Sequence, residues 1–151
     1  MTDPVDFPSR LSAHMDSAFL SGVLAQSIRK TVFFSGLMVA PRLIDQIAQE
    51  LTASFFRYHE DRDDQTVRVY GGTLAYQGFG PKTVLTSCDT LSRVCREKSN
   101  PLQDLPDVAG RYTSALLEGY IDGREQSLLL EQERTLRAYL AASARQTSEN
   151  D

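Results

Sequence analysis

Residues 107–144 read DVAGRYTSALLEGYIDGREQSLLLEQERTLRAYLAASA, a run with no proline and with Gly110, Gly119 and Gly123 as its only glycines. Proline deletes a backbone donor and clashes with the preceding turn. A stretch this long without one, opened by Asp107 as a capping residue, predicts a single helix. At ~1.5 Å rise per residue it would exceed about 50 Å, against roughly 30 Å for the diameter of a small domain. The helix must therefore divide into two parts with different surroundings. The part up to Gly123 carries Tyr112, Leu116, Gly119, Tyr120 and Gly123 and is expected to pack within a bundle. The part beyond it carries Leu128, Leu129, Leu130, Leu136, Tyr139 and Leu140 and is expected to project or to dock on another chain. Leu128, Leu129, Leu136, Tyr139 and Leu140 are the candidate contacts of a homodimer. Gly119 and Gly123, four positions apart, lie on one face and permit close helix contact. Intrachain packing is the preferred reading of that pair, ahead of a dimer seam.

The same helical period recurs upstream. Residues 99–106 hold two prolines and read as a loop. Before them Val84, Leu85, Cys88, Leu91, Val94 and Cys95 recur at helical spacing after Pro81, which suits a first helical turn. The punctuation Gly78-Phe79-Gly80-Pro81 closes a preceding helix, with Gly78 suited to a left-handed end. That helix is capped by Asp63 or Asp64 and runs through Val67, Tyr70, Leu74 and Ala75. Gly71-Gly72 in its middle costs roughly 1 kcal/mol per residue relative to alanine, so a neighbouring helix is expected to approach closely there. From Pro41 the residues Leu43, Ile44, Ile47, Ala48, Leu51, Phe55 and Tyr58 form one wide apolar stripe, ended by the charged run 59–64. A first helix from about residue 10, capped by Ser9, is expected to bury Leu11, Met15, Ala18, Phe19, Gly22 and Val23, continue through Leu24 and Ile28 and stop near Ser35-Gly36. Ser21-Gly22 is a candidate kink. No segment sustains the alternation of a strand.

The fold class is therefore all-α, a five- to six-helix globin-like bundle with a long C-terminal helix. The expected organisation is a flexible arm over 1–8, one helical domain over 9–144 and a disordered tail over 145–151.

Composition narrows function. The chain has 151 residues, 41% hydrophobic and 24% charged, with net charge −4. A chain of this size can bury a real core without metal or disulfide support. Its basic residues are scattered singly, which argues against nucleic acid or an anionic membrane as a partner. No signal peptide opens the sequence and no apolar run approaches the ~20 residues of a membrane span. The expected compartment is the cytoplasm. Cys88 and Cys95, seven residues apart on one helix, would be about 10 Å apart along the axis, too far to bridge each other. They read as small core residues.

Chemistry-bearing motifs are sparse. His14 and His59 are the only histidines and stand in no ligand spacing. The carboxylates Glu118, Asp122, Glu125, Glu131 and Glu133 are interleaved with Arg124, Arg134 and Arg137, the pattern of a solvated or paired helix face. No nucleophile elbow, phosphate loop or dinucleotide fingerprint occurs. No catalytic residue, metal site or cofactor is expected. Aromatic residues cluster between 33 and 79, from Phe33 and Phe34 to Phe79. They read as packed core, with a sharper alternative: an interhelical pocket for a small apolar ligand, lined by Phe55, Tyr58, Tyr70, Tyr76, Phe79 and Cys88.

Tyr70-Gly71, Leu74-Ala75, Gly78-Phe79-Gly80 and Leu91 to Cys95 resemble parts of the globin-like, haem-free sensor domains of bacterial stressosome co-antagonist proteins. Leu117 to Gly123, followed by Glu131-Gln132-Glu133, resembles their exit helix. The likeness covers roughly residues 40–140. It implies a dimeric, non-enzymatic sensor or regulatory domain whose last helix leads to an output domain or a signalling partner protein. This chain departs from that plan, stopping soon after the helix, and no ligand residue carries over. The alternative expectation is a small-molecule-binding globin-like protein, taking an apolar ligand or haem.

Overall fold

The computed structural model describes residues 15–35, 41–98 and 104–150, and side chains for all of these except 32–35. The expected arm over 1–8, Ser9, Leu11, His14 and the stop at Gly36 lie outside the described residues, as do the side chains of Phe33 and Phe34. The described residues form five helices and no strand: α1 (Ser17–Ser35), α2 (Pro41–Asp61), α3 (Asp64–Tyr76), α4 (Pro81–Glu97) and α5 (Leu105–Glu149). The architecture is an all-α bundle with a long C-terminal helix.

Each boundary has a local cause. The Asp16 carboxylate accepts the Ala18 amide at 3.1 Å and opens α1. Arg62, with φ of 53°, makes the corner between α2 and α3, a left-handed conformation uncommon outside glycine. Asp63 then caps α3, accepting from the amides of Gln65 and Thr66 and from the Thr66 hydroxyl at 2.6 Å. At the far end of α3, Gly78 takes φ of 88°. Its amide donates to the Ala75 carbonyl at 3.1 Å and that of Phe79 to the Leu74 carbonyl at 3.2 Å. This is the paired bonding of a glycine-ended helix, with an apolar contact from the residue beyond the glycine. The buried Tyr120 hydroxyl of α5 donates to the Phe79 carbonyl and holds that turn on the bundle.

The core is laid down by all of α1 to α4 and the first half of α5, with Leu20, Leu24 and Ile28 of α1 fully buried in it. Phe55 and Tyr112 are fully buried with ring centroids 5.3 Å apart, and Tyr58 lies 5.6 Å from Tyr112. The tightest seam joins α3 to α5. A methyl on Gly119 would fall inside contact distance of the Arg68 backbone, and one on Gly71 inside that of Leu116 and Tyr120. A methyl on Gly123 would stand 2.9 Å from the Gly72 Cα. The glycines that cost α3 helical propensity are thus the ones that let two backbones meet. The Gly119/Gly123 pair packs within the chain, in keeping with the preferred reading of its spacing.

Four expectations change. The buried face of α1 is Leu20, Leu24, Ala25, Ile28 and Thr31, whereas Ala18 and Gly22 are exposed and Phe19 is 44% exposed under the Lys98 ammonium. The expected stripe is phased on Leu11 and Met15, which precede the helix. α1 runs without a break through Ser21-Gly22. Leu43 and Leu85 point outward, flanking stripes that are otherwise buried. Finally, α5 stays helical to Glu149, through most of the expected tail.

Candidate functional site

The second half of α5 carries six of the exposed large hydrophobic residues of the described surface. Gly123 is its last buried residue, so about 39 Å of helix to Glu149 extends beyond the packed part at ~1.5 Å per residue. Tyr76 of α3 makes the last hydrogen bond to it, donating to Gln126 at 2.8 Å. Beyond that, Leu128, Leu129, Leu130, Leu136, Tyr139 and Leu140 are all exposed, Leu129 by 61% and Tyr139 by 69%.

The two halves of α5 turn opposite faces to the apolar surroundings each needs. Tyr112, Leu116, Gly119 and Gly123 share the face buried in the bundle. Leu128 lies nine residues past Gly119, about two and a half turns at ~3.6 residues per turn, hence on the far side. Ile121, Gln132, Leu136 and Tyr139 fall on or near that same far side, Leu129 and Leu140 lie on one flank of it, and Leu130 turns towards the side of the bundle. Leu128, Gln132, Leu136 and Tyr139 line a shallow groove there with Thr135 and Glu131. Glu131 edges that groove, and Arg134 and Arg145 occupy the opposite flank, so the stripe has a polar back. A partner meeting the stripe therefore approaches from the side away from α3.

The candidate pocket residues do not share one pocket. Phe55 is enclosed by Tyr112 and Phe56. Tyr58 and Tyr70 line a cleft between α2 and α3. Tyr76 is 58% exposed, Phe79 sits in the α3–α4 turn and Cys88 is buried on α4. The gap between Ile28, Ile47, Leu51, Leu74, Phe79 and Leu116 amounts to about 10 Å³, room for little more than a single water. Burial pushes the thiols of Cys88 and Cys95 up to about 12. Both cysteines are free.

Sequence reasoning missed Glu50, Ser54, Arg57 and Asp61, which face the α2–α3 cleft. They share a polar face of α2, at i, i+4, i+7 and i+11, which in sequence reads as ordinary solvated surface. It also missed an open groove of about 640 Å³ between α3 and the start of α5, edged by Asp64, Arg68, Asp107, Arg111 and Glu118. Mixed charges and an Arg68–Glu118 ion pair at 3.0 Å mark that groove as solvated surface. Among the described residues no group of three or more His, Cys, Asp or Glu is placed to hold a metal ion, and no helix is long and apolar enough to cross a membrane. Comparison of the chain with family models, curated proteins and solved structures returns no match.

Proposed function

We propose that this chain is a non-catalytic sensor or regulatory domain of bacterial signal transduction, acting as a homodimer paired through the far side of α5. The observation that carries the reading is the change of face along α5. The projecting half is rich in alanine, leucine, glutamate, glutamine and arginine, residues of high helix propensity, yet a bare helix in water is marginal without packing. The Leu128, Leu129, Leu136, Tyr139 and Leu140 stripe finds no packing partner within the described residues, and stands as a surface for contact. Contiguous apolar patches of this kind mark interaction sites.

A second copy is the occupant that fits. A two-fold axis beside the stripe brings like stripes together. Because each stripe faces away from its own α3, both bundles lie outside the pair and do not collide. The close α3–α5 seam gives a route for signalling, since a shift of α3 moves α5 with it. The resemblance to stressosome sensor domains agrees with a dimer and an output partner beyond the helix. An internal apolar ligand or haem, the alternative, would need the core to open well beyond its present gap.

The test is the solution mass of a Leu129→Glu, Leu136→Glu double variant. It is expected to be monomeric with unchanged helicity where the parent chain is dimeric. A parent and variant of equal mass would sink the proposal.

A further inference from the structure

The cleft between the second half of α2 and the start of α3 plays no part in the dimer reading, and its chemistry is the same whether or not α5 pairs. It holds about 280 Å³ and is lined by Glu50, Ser54, Arg57, Tyr58, Asp61 and Tyr70, among others. That is at the small end of the ~300–1,000 Å³ typical of ligand sites. It suits a metabolite of a few functional groups and excludes a large cofactor.

Two hydroxyl groups in this region have unused hydrogen-bonding capacity. The Tyr70 oxygen is buried and has no hydrogen-bond partner among the described residues. Burial, followed by Tyr112 and Glu50, holds this phenol well above its ordinary 10.0, so it remains a neutral O–H, able to donate and to accept. Ser54 Oγ accepts from the Tyr112 hydroxyl at 3.0 Å, which leaves the serine's own proton to be given elsewhere. A buried hydroxyl left unbonded is costly, and a ligand that bonds Tyr70 removes that cost.

Charge selects the class of ligand. Glu50, Asp61 and Asp63 outnumber Arg57 in the wall. Asp63 is committed to capping α3, and Asp61 accepts the Asp63 amide at 3.0 Å. Among the described residues Glu50 holds only the Gln46 side-chain amide, at 3.1 Å on one oxygen, and so has capacity to spare. Tyr58 and Tyr70 add aromatic surface, which also attracts cations. We infer that the α2–α3 cleft binds a small organic amine, with its ammonium group against Glu50 and a hydroxyl or carbonyl on its body bonded to Tyr70 and Ser54.

The experiment is an NMR titration of the full chain with ethanolamine and 3-amino-1-propanol, with acetate and glycerol as anionic and neutral counterparts. Saturable shifts are expected for an amine at residues 50–70, with none for acetate or glycerol. Tyr70→Phe removes only a hydroxyl that has no partner, so it should fold as the parent does. Glu50→Gln should weaken amine binding by about tenfold or more, the effect of one hydrogen bond to a charged group, and Tyr70→Phe by about two- to tenfold, the effect of one neutral hydrogen bond. No saturable response to either amine, equal binding of acetate, or undiminished binding by both variants would overturn the inference.

Discussion

Replacing Gly119 by alanine should destabilise the protein, although the same change normally strengthens a helix. At an open helical position alanine gains up to about 1 kcal/mol over glycine. At Gly119 the new methyl would lie 2.6 Å from the Arg68 carbonyl carbon and 2.7 Å from its Cα, and nearer still to its oxygen. All three atoms are backbone, so no side chain can swing aside, and α3 must separate from α5. Overpacking costs about 1–3 kcal/mol, occasionally more. A backbone collision belongs at the top of that range, leaving a net loss of about 2 kcal/mol after the propensity gain. For a chain of this size that lowers Tm by about 4–8 °C. Gly110 supplies the control on the same helix, since a methyl there meets nothing within 4 Å. Gly110→Ala should raise Tm by about 2–4 °C. Thermal unfolding followed by far-UV circular dichroism reads both. A Gly119→Ala chain as stable as Gly110→Ala would refute the close seam and the coupling of α3 to α5 that rests on it.

Titrating groups give two more expectations. With both thiols raised by burial to about 12, iodoacetamide at about pH 8 should leave Cys88 and Cys95 unmodified in the native chain and label them on unfolding. The raised values favour the neutral fold: their contribution is complete below the ordinary 9.0 and is lost as pH rises towards about 12. Fast native labelling would show that the thiols are not enclosed. Asp63 behaves in the opposite sense. The Thr66 hydroxyl, then the amides of Thr66 and Gln65, hold its carboxyl below the ordinary 3.8. Its stabilising effect is present above that value and is lost as pH falls through the lowered one. Asp63→Ala should reduce stability at neutral pH and converge with the parent chain in acid; a constant gap across that range would contradict the cap.

The helix count and most boundaries were legible because they depend on local chemistry. Pro41 and Pro81 open helices, Asp63 caps one and Gly78 ends one, each through its own backbone preference. Gly71-Gly72 announced a close approach by its very cost to the helix, though only the fold showed that Gly119 and Gly123 supply the partner surface. Phase was less legible. Phe19, Leu43 and Leu85 border apolar stripes, and a side chain at a border can turn either way. The cleft was invisible for another reason: Glu50, Ser54 and Arg57 share a polar helix face like any solvated one, and they meet Tyr70 only because Arg62 turns α3 back beside α2.

The central claim is that the projecting half of α5 is covered by a second copy. Leu129 is 61% exposed in one chain, and burying that surface contributes about 1–2 kcal/mol, twice over in a two-fold pair. Sedimentation equilibrium over a range of concentrations measures the outcome directly. The expected result is a mass approaching twice the 16.8 kDa of the chain as concentration rises. A mass that stays at 16.8 kDa throughout would contradict the account.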